Sequence, residues 1–388
     1  MKIKLSELAD VIMGQSPPSS FYNDSGEGVP FFQGKTEFGE LYPTVEKFTQ
    51  KITKEAKEGD ILFTVRAPVG EVNISNVNCC IGRGLAAIRP KEDNNYLFYK
   101  IQHEKARFVS KSSGVIYDSI NKDILNEVEL TVEESQSARE RIGTILWSYD
   151  SLIINNLQRI ELLEESAQIL YREWFVHLRF PGHEHTKITN GVPKEWERKI
   201  LSELTDIIDY GYTASANQED VGPKFLRITD IVPASINWVS VPFCKIEEKR
   251  KNKYLLREGD VVVARTGATV GYAKRIHKRN PESVFASYLV RFRFKQNVDN
   301  IAMGVFMESD EYKNYVKSHV GGAAQPNANA KILAGAKVLL PERKIRDMFK
   351  SIIAPIIDQK EILQVSNQVL IKARDILLPR LMNGDIAV

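Results

Sequence analysis

Residues 137–174 read SARERIGTILWSYDSLIINNLQRIELLEESAQILYREW, and the architecture follows from this stretch. A period of about 3.5 residues places Leu146, Ile153, Ile160, Ala167 and Trp174 on one track and Ile142, Tyr149, Asn156, Leu163 and Leu170 on a second. The tracks alternate by four and three, Asn156 is a polar layer, and neither Pro nor Gly follows Gly143. This is the pattern of a heptad seam. As an α-helix it would run to roughly 55 Å, longer than a globular helix needs. A single stripe of this kind is most simply an ordinary core helix. This one has a copy.

The segment 346–382 carries Phe349, Ile356, Leu363, Leu370 and Leu377 seven residues apart, with Ile352 and Ala373 alongside. Pro355 predicts a kink or a late helix start there. An offset of 208 pairs Gly114 with Gly322, Asn121 with Asn329, Ile145 with Ile353, Asp150 with Asp358 and Arg172 with Arg380. It also sets Gln364 against Asn156, suggesting a polar layer in which Asn156→Leu would stabilise the chain while loosening register. Upstream, Leu5-Ser6-Glu7-Leu8 returns as Leu201-Ser202-Glu203-Leu204, each predicted to be a short helix with Ser as N-cap. Glu58-Gly59-Asp60 before Ile61-Leu62-Phe63 returns as Glu258-Gly259-Asp260 before Val261-Val262-Val263, a turn into a buried strand. Arg66 with Val69-Gly70 is matched to Arg265 with Val270-Gly271.

The repeat predicts a mixed α/β chain of five parts: a module at 1–136, a long helix at 137–179, a linker at 180–198, a second module at 199–343 and a second long helix at 344–388. The helices are expected to pair as an antiparallel coiled coil with pseudo-twofold symmetry, through Leu146, Ile153, Ile160, Leu163 and Leu170 on one and Ile356, Leu363, Leu370 and Leu377 on the other. Strands are predicted at 29–32, 61–65, 85–88, 225–228, 260–264 and 288–294, and helices at 95–109 and 301–316.

The 388 residues are 43% hydrophobic and 27% charged, ordinary proportions for two or more globular domains. A net charge of +3 permits nucleic-acid binding without arguing for it. No apolar run is long enough to cross a bilayer, and the N-terminus does not read as a signal peptide, so a cytoplasmic location is expected. Cys79, Cys80 and Cys244 lack metal-ligand spacing and suit a reducing compartment.

Catalytic patterns are missing. No phosphate-cradling or dinucleotide-binding glycine motif occurs. Ser16-Pro17-Pro18-Ser19 has serines where an amino-methyltransferase loop needs an amide or carboxylate and an aromatic ring. Neither Asp60 nor Asp260 is followed by the carboxylate and lysine of a nuclease, and His177, His183 and His185 read as a solvated linker, with no metal expected.

The modules offer recognition chemistry instead, placing hydroxyl, amide and cationic side chains beside glycine-rich turns. In the first these are Gln15, Ser16, Ser19, Gln33, Lys35, Thr36, Arg66, Arg83, Ser112 and Tyr117. In the second they are Tyr210, Tyr212, Thr213, Arg227, Arg265, Thr266, Lys274, Arg275, Gln325 and Asn327. The run Lys274-Arg275-Ile276-His277-Lys278-Arg279 is the densest basic patch and strengthens the nucleic-acid reading.

With these motifs in order, the chain resembles the DNA specificity subunits of type I restriction–modification systems over nearly its whole length. The likeness rests on Gly14-Gln15-Ser16-Pro17-Pro18-Ser19, Gly59-Asp60-Ile61-Leu62, Arg66-Ala67-Pro68-Val69-Gly70 and Gly82-Arg83-Gly84-Leu85, then on Trp174-Phe175-Val176 and Phe180-Pro181-Gly182-His183. It continues with Val192-Pro193-Lys194-Glu195-Trp196, Gly267-Ala268-Thr269-Val270-Gly271, Gly321-Gly322-Ala323-Ala324-Gln325-Pro326-Asn327 and the closing Leu381-Met382-Asn383-Gly384-Asp385. The first copy departs from the pattern at Ser113-Gly114-Val115-Ile116-Tyr117-Asp118.

The resemblance implies a non-catalytic subunit with two target-recognition domains, each reading half of a bipartite double-stranded DNA site, and helices that set the spacing. It implies two modification subunits, which bind S-adenosylmethionine and dock on the helices, and two motor-nuclease restriction subunits using ATP and Mg, with no cofactor on this chain. The rivals are a stand-alone DNA-binding or DNA-mimic regulatory protein, a catalytic methyltransferase or nuclease, and a purely structural coiled-coil adaptor. Co-purification with a methyltransferase chain and tests of adenosyl-cofactor binding separate them.

Overall fold

The computed structural model describes residues 1–92, 95–111, 119–233, 235–320 and 326–388. They form two compact units, Met1–Ile154 with Leu370–Val388, and Asn155–Val369. The central helix, Gln136–Tyr171, and the C-terminal helix, Arg343–Met382, each give one stretch to each unit.

The first unit holds a four-stranded antiparallel sheet in the order Ala9–Met13, Leu85–Pro90, Ile61–Thr64, Val72–Ile74. Alternation divides its central strand. Ile61 and Phe63 join Tyr99, Phe108, Ile142 and Leu146 in one core, while Leu62 joins Phe32, Ile81 and Leu85 in another. Burial on both faces explains why the sequence shows an unbroken apolar run here. A five-stranded sheet contributes to the second core, with Val29–Phe32 running parallel to Cys79–Ile81.

The second unit repeats the plan with Thr205–Tyr210, Leu289–Phe294, Val261–Ala264 and Ala273–Arg275 in the same order. Val261 and Val263 face Phe306 and Tyr312, and Val262 and Ala264 face Leu226 and Phe285. Lys224–Leu226 lies parallel to Ser283–Phe285. In both units the Glu-Gly-Asp turn is an anchored corner. Gly59 and Gly259 take φ of 88° and 84°, a region open to glycine. Asp60 accepts two bonds from Arg89 at 2.8 and 2.7 Å, and Asp260 two from Arg293 at 2.7 and 2.6 Å, so each buried carboxylate ties the strand to its neighbour.

Several expectations are corrected. Ser6 and Ser202 are not N-caps, because the helices Leu5–Leu8 and Leu201–Leu204 start one residue earlier. Glu7 and Glu203 do the capping, accepting the N–H groups of Lys4 and Ile200. Pro355 does not delay the C-terminal helix, which starts at Arg343. Ser351, whose carbonyl it leaves without an intrahelical donor, is exposed and can turn to water. The strand expected at 225–228 ends at Leu226, and Ile228–Ile231 is helical because Asp230 accepts the Arg227 N–H at 2.8 Å.

The two helices expected at 95–109 and 301–316 are each divided, into Tyr96–His103 and Lys105–Lys111 and into Asn300–Glu308 and Asp310–His319. The central helix leaves α geometry at Arg172–Val176, a π turn that buries both Trp174 and Phe175 against Phe349. The stretch after it is no loose linker. Ile188–Thr189 pairs with Val192–Pro193, Glu197–Ile200 with Lys337–Leu340, and Phe180 and Trp196 are buried with ring centroids 4.6 Å apart.

Of the residues expected to pair the helices, Leu146, Ile153, Ile160 and Leu363 are buried, and Leu163, Leu170, Ile356, Leu370 and Leu377 half-buried. In the first unit Arg374 meets Asp150; in the second Glu164 meets Lys360 at 2.8 Å and Asn156 meets Asn367 at 2.8 Å. Among the described residues no helix is long and apolar enough to cross a membrane.

Candidate nucleic-acid interface

In the first module, Ser16, Ser19, Gln33, Lys35, Thr36, Arg66 and Arg83 line one depression of ≈ 740 Å³. The turn that begins it depends on Gly14, where a Cβ would lie 2.2 Å from the Gly82 carbonyl. Gln15 follows, exposed, with its backbone N–H on Ile81 at 2.9 Å. Ser16 Oγ accepts the Arg83 N–H at 3.2 Å and so joins the two walls. Arg66 and Arg83 are exposed. Lys35 is already paired, 3.0 Å from Glu71, which also holds Lys105 at 2.7 Å. Burial pushes the Glu71 carboxyl up, but the hydrogen bonds from Lys105 and Lys35 outweigh it and hold it below the usual range. Ser112 and Tyr117 lie outside the described residues.

Backbone hydrogen bonds align the two modules. Gly14 bonds Leu85 as Gly211 bonds Leu289, and Gln15 bonds Ile81 as Tyr212 bonds Phe285, so Tyr212 and Thr213 stand where Gln15 and Ser16 stand. Tyr212 packs on Tyr254, with centroids 5.2 Å apart, and Thr213 is exposed. Arg227 occupies the place of Gln33 but is paired with Asp230 at 2.9 Å. The Arg265 guanidinium sits 4.8 Å over the Tyr210 ring and donates to Asn327 Oδ1 at 3.2 Å, while Thr266 bridges to Asn327 through the backbone. Gln325 lies outside the described residues.

Matching Arg66 to Arg265 by sequence is off by one. Val65 bonds Gly84 and accepts from Ile120 as Arg265 bonds Tyr288 and accepts from Ala328. Arg265 therefore stands where the first module buries Val65, and Thr266 where it exposes Arg66. The shift arises because one more residue precedes Gly271 in the second loop than precedes Gly70 in the first.

The basic run 274–279 is corrected more sharply, since Lys274 and Arg275 do not belong to this surface. Lys274 lies 3.4 Å from Glu164 of the central helix. Arg275 is 6% exposed, its N–H on Glu308 at 2.8 Å and its guanidinium on Asn300 and Glu361. His277 Nδ1 is 2.5 Å from Glu361, and Arg279 is 2.7 Å from Asp358. The positive charges are met by acids of the two helices, as buried charges must be. Among the described residues no three His, Cys, Asp or Glu side chains gather as a metal site would require.

Comparison with known proteins agrees with this duplicated plan. Residues 1–165 and 193–370 match the family described as Type I restriction modification DNA specificity domain. The chain is 41% identical over 164 residues to the putative type I restriction enzyme MjaX specificity subunit of Methanocaldococcus jannaschii, an alignment covering 41% of this chain and only 38% of that relative. It is 24% identical over 416 residues to the MjaIX specificity subunit of the same organism, covering 99% and 93%. The S subunit of a type I restriction–modification system from M. genitalium shares the fold, with a TM-score of 0.60 at 14% identity over 98% of this chain and 96% of that one. A module built twice, each copy with its own long helix, and a family match spanning both copies lead to one assignment: the chain belongs to the type I restriction–modification DNA specificity family.

Proposed function

We propose that this chain is the sequence-reading, non-catalytic subunit of a type I restriction–modification complex, each module reading one half of a bipartite double-stranded DNA site. The observation that carries the reading is the convergence of Ser16, Ser19, Gln33, Lys35, Thr36, Arg66 and Arg83 on one open depression of a duplicated module. Hydroxyls, amides and guanidinium groups on rigid turns suit base edges and phosphates. The target-recognition domains are 1–136 and 199–343, and the long helices set the half-site spacing, about one helical turn or roughly 34 Å for modules reading one side of DNA. Two modification subunits dock on the helices and supply S-adenosylmethionine chemistry; restriction subunits complete the cleaving form.

Co-expression with the methyltransferase chain tests this, with methylated adenines mapped genome-wide in the presence and absence of the specificity chain. A bipartite motif that appears only with the chain is expected; methylation indifferent to it would end the reading. Deleting one heptad from both helices in register should change the spacer and leave the half-site sequences alone.

A further inference from the structure

We infer that Tyr288 is a DNA-contacting side chain of the second module, a contact with no counterpart in the first, so that the two half-sites are read by unlike chemistry; this rests on the DNA-reading role proposed above. Tyr288 is 60% exposed, more than any other Phe, Trp or Tyr among the described residues. It sits on the short turn between Ser283–Phe285 and Leu289–Phe294. The turn is held firmly: Leu289 bonds Ala286 at 2.9 Å, Ser287 bonds Tyr212 at 3.0 Å, and Arg265 donates its N–H to the Tyr288 carbonyl at 3.0 Å.

The first module closes the same turn with Leu85 bonded to Gly82 at 3.0 Å and Val65 bonded to Gly84 at 2.9 Å. No side chain can stand at Gly84, because a Cβ would lie 2.2 Å from the Gln33 carbonyl. In the second module the chain enters the helix Ile228–Ile231 directly after Arg227, and the position carries a ring.

A lone exposed aromatic is ordinary. Tyr288 is not alone, because its carbonyl anchors the backbone of Arg265, whose guanidinium is pinned over Tyr210 and against Asn327. A ring on a turn that is hydrogen-bonded to the backbone of a pre-oriented arginine loses little freedom on binding. Duplex DNA offers matching partners, with thymine methyls and sugars for the ring and guanine edges or phosphates for the arginine. The first module, with Gly84 at this place, presents Ser, Gln and Arg side chains in a depression instead.

The test uses the full chain assembled with its methyltransferase subunits and three duplexes: the mapped site intact, and the site with either half replaced. Tyr288→Ala should weaken binding to the intact duplex about tenfold, the size of one base-edge contact. The loss should vanish when one particular half is replaced, the same half that abolishes the effect of Arg265→Ala. Tyr288→Phe should bind as the parent does, and both variants should melt with the parent. Unchanged binding by Tyr288→Ala, or a loss that persists whichever half is replaced, overturns the inference while leaving the DNA-reading role intact. Equal loss in Tyr288→Phe overturns the ring contact. Failure of the parent complex to prefer the mapped site overturns the role itself and this inference with it.

Discussion

Asn156 donates a side-chain N–H to Oδ1 of Asn367 across 2.8 Å, and both amides are buried within the second unit. The repeat points to Gln364. An offset of 208 identifies equivalent residues, whereas contact partners in an antiparallel pair are found by counting in opposite directions, as Glu164 with Lys360 and Asn156 with Asn367 show. Asn156→Leu alone should therefore destabilise the chain, by about 1–3 kcal/mol, because the buried Oδ1 of Asn367 loses the hydrogen bond that Asn156 donates. Replacing both by Leu should recover the loss while loosening register. Chemical denaturation of the two single variants and the double variant checks this.

Acid should weaken the second unit. Burial holds the His277 imidazole below its ordinary value of 6.5, against the pull of Glu361. The unfolded chain then binds the proton first, so stability falls as pH drops below 6.5 and continues to fall until the folded imidazole titrates. Burial pushes the Glu361 carboxyl up, but the hydrogen bond from His277 and the Arg275 charge hold it below 4.5; its contribution is present above 4.5 and is lost on further acidification. His277→Asn keeps a donor near the Nδ1 position and cannot titrate, so its melting temperature should lose the upper limb of this dependence.

The anchored corners should not cost the same to break. Asp60→Ala and Asp260→Ala each strand an arginine, but Arg293 is 19% exposed and Arg89 33%. The Asp260 variant should lose about 3 kcal/mol, within the range for breaking a buried pair, and the Asp60 variant less, as thermal unfolding would show.

DNA binding should separate exposed arginines from buried ones. Arg66→Ala and Arg265→Ala should each impair one half-site only, and equal loss at both would make these residues structural. If Arg66 meets a phosphate, its removal lowers the salt slope by about 0.9. Lys274→Ala and Arg275→Ala should leave that slope unchanged and lower stability instead, because both are committed to helix acids.

The sequence by itself determined the duplication, the two long helices and the buried strands. These are written locally: a heptad track that has a copy 208 residues on reads as a long helix, and Ile61-Leu62-Phe63 or Val261-Val262-Val263 after a Glu-Gly-Asp turn reads as a buried strand. Spacing along the chain also grouped Ser16, Ser19, Gln33, Lys35, Thr36, Arg66 and Arg83 beside glycine-containing turns, and the fold sets them around one depression. The tertiary structure alone decided which charges remain available. The run Lys274 to Arg279 looks like a surface patch until the fold brings Glu164, Asp358 and Glu361 within 3.4 Å of it. It alone decided that Thr266, not Arg265, answers Arg66, and that Tyr288 stands where Gly84 is walled in. Periodicity belongs to the backbone and can be read along the chain. A charge or a ring acquires its role from what lies across space, which neither spacing nor composition encodes.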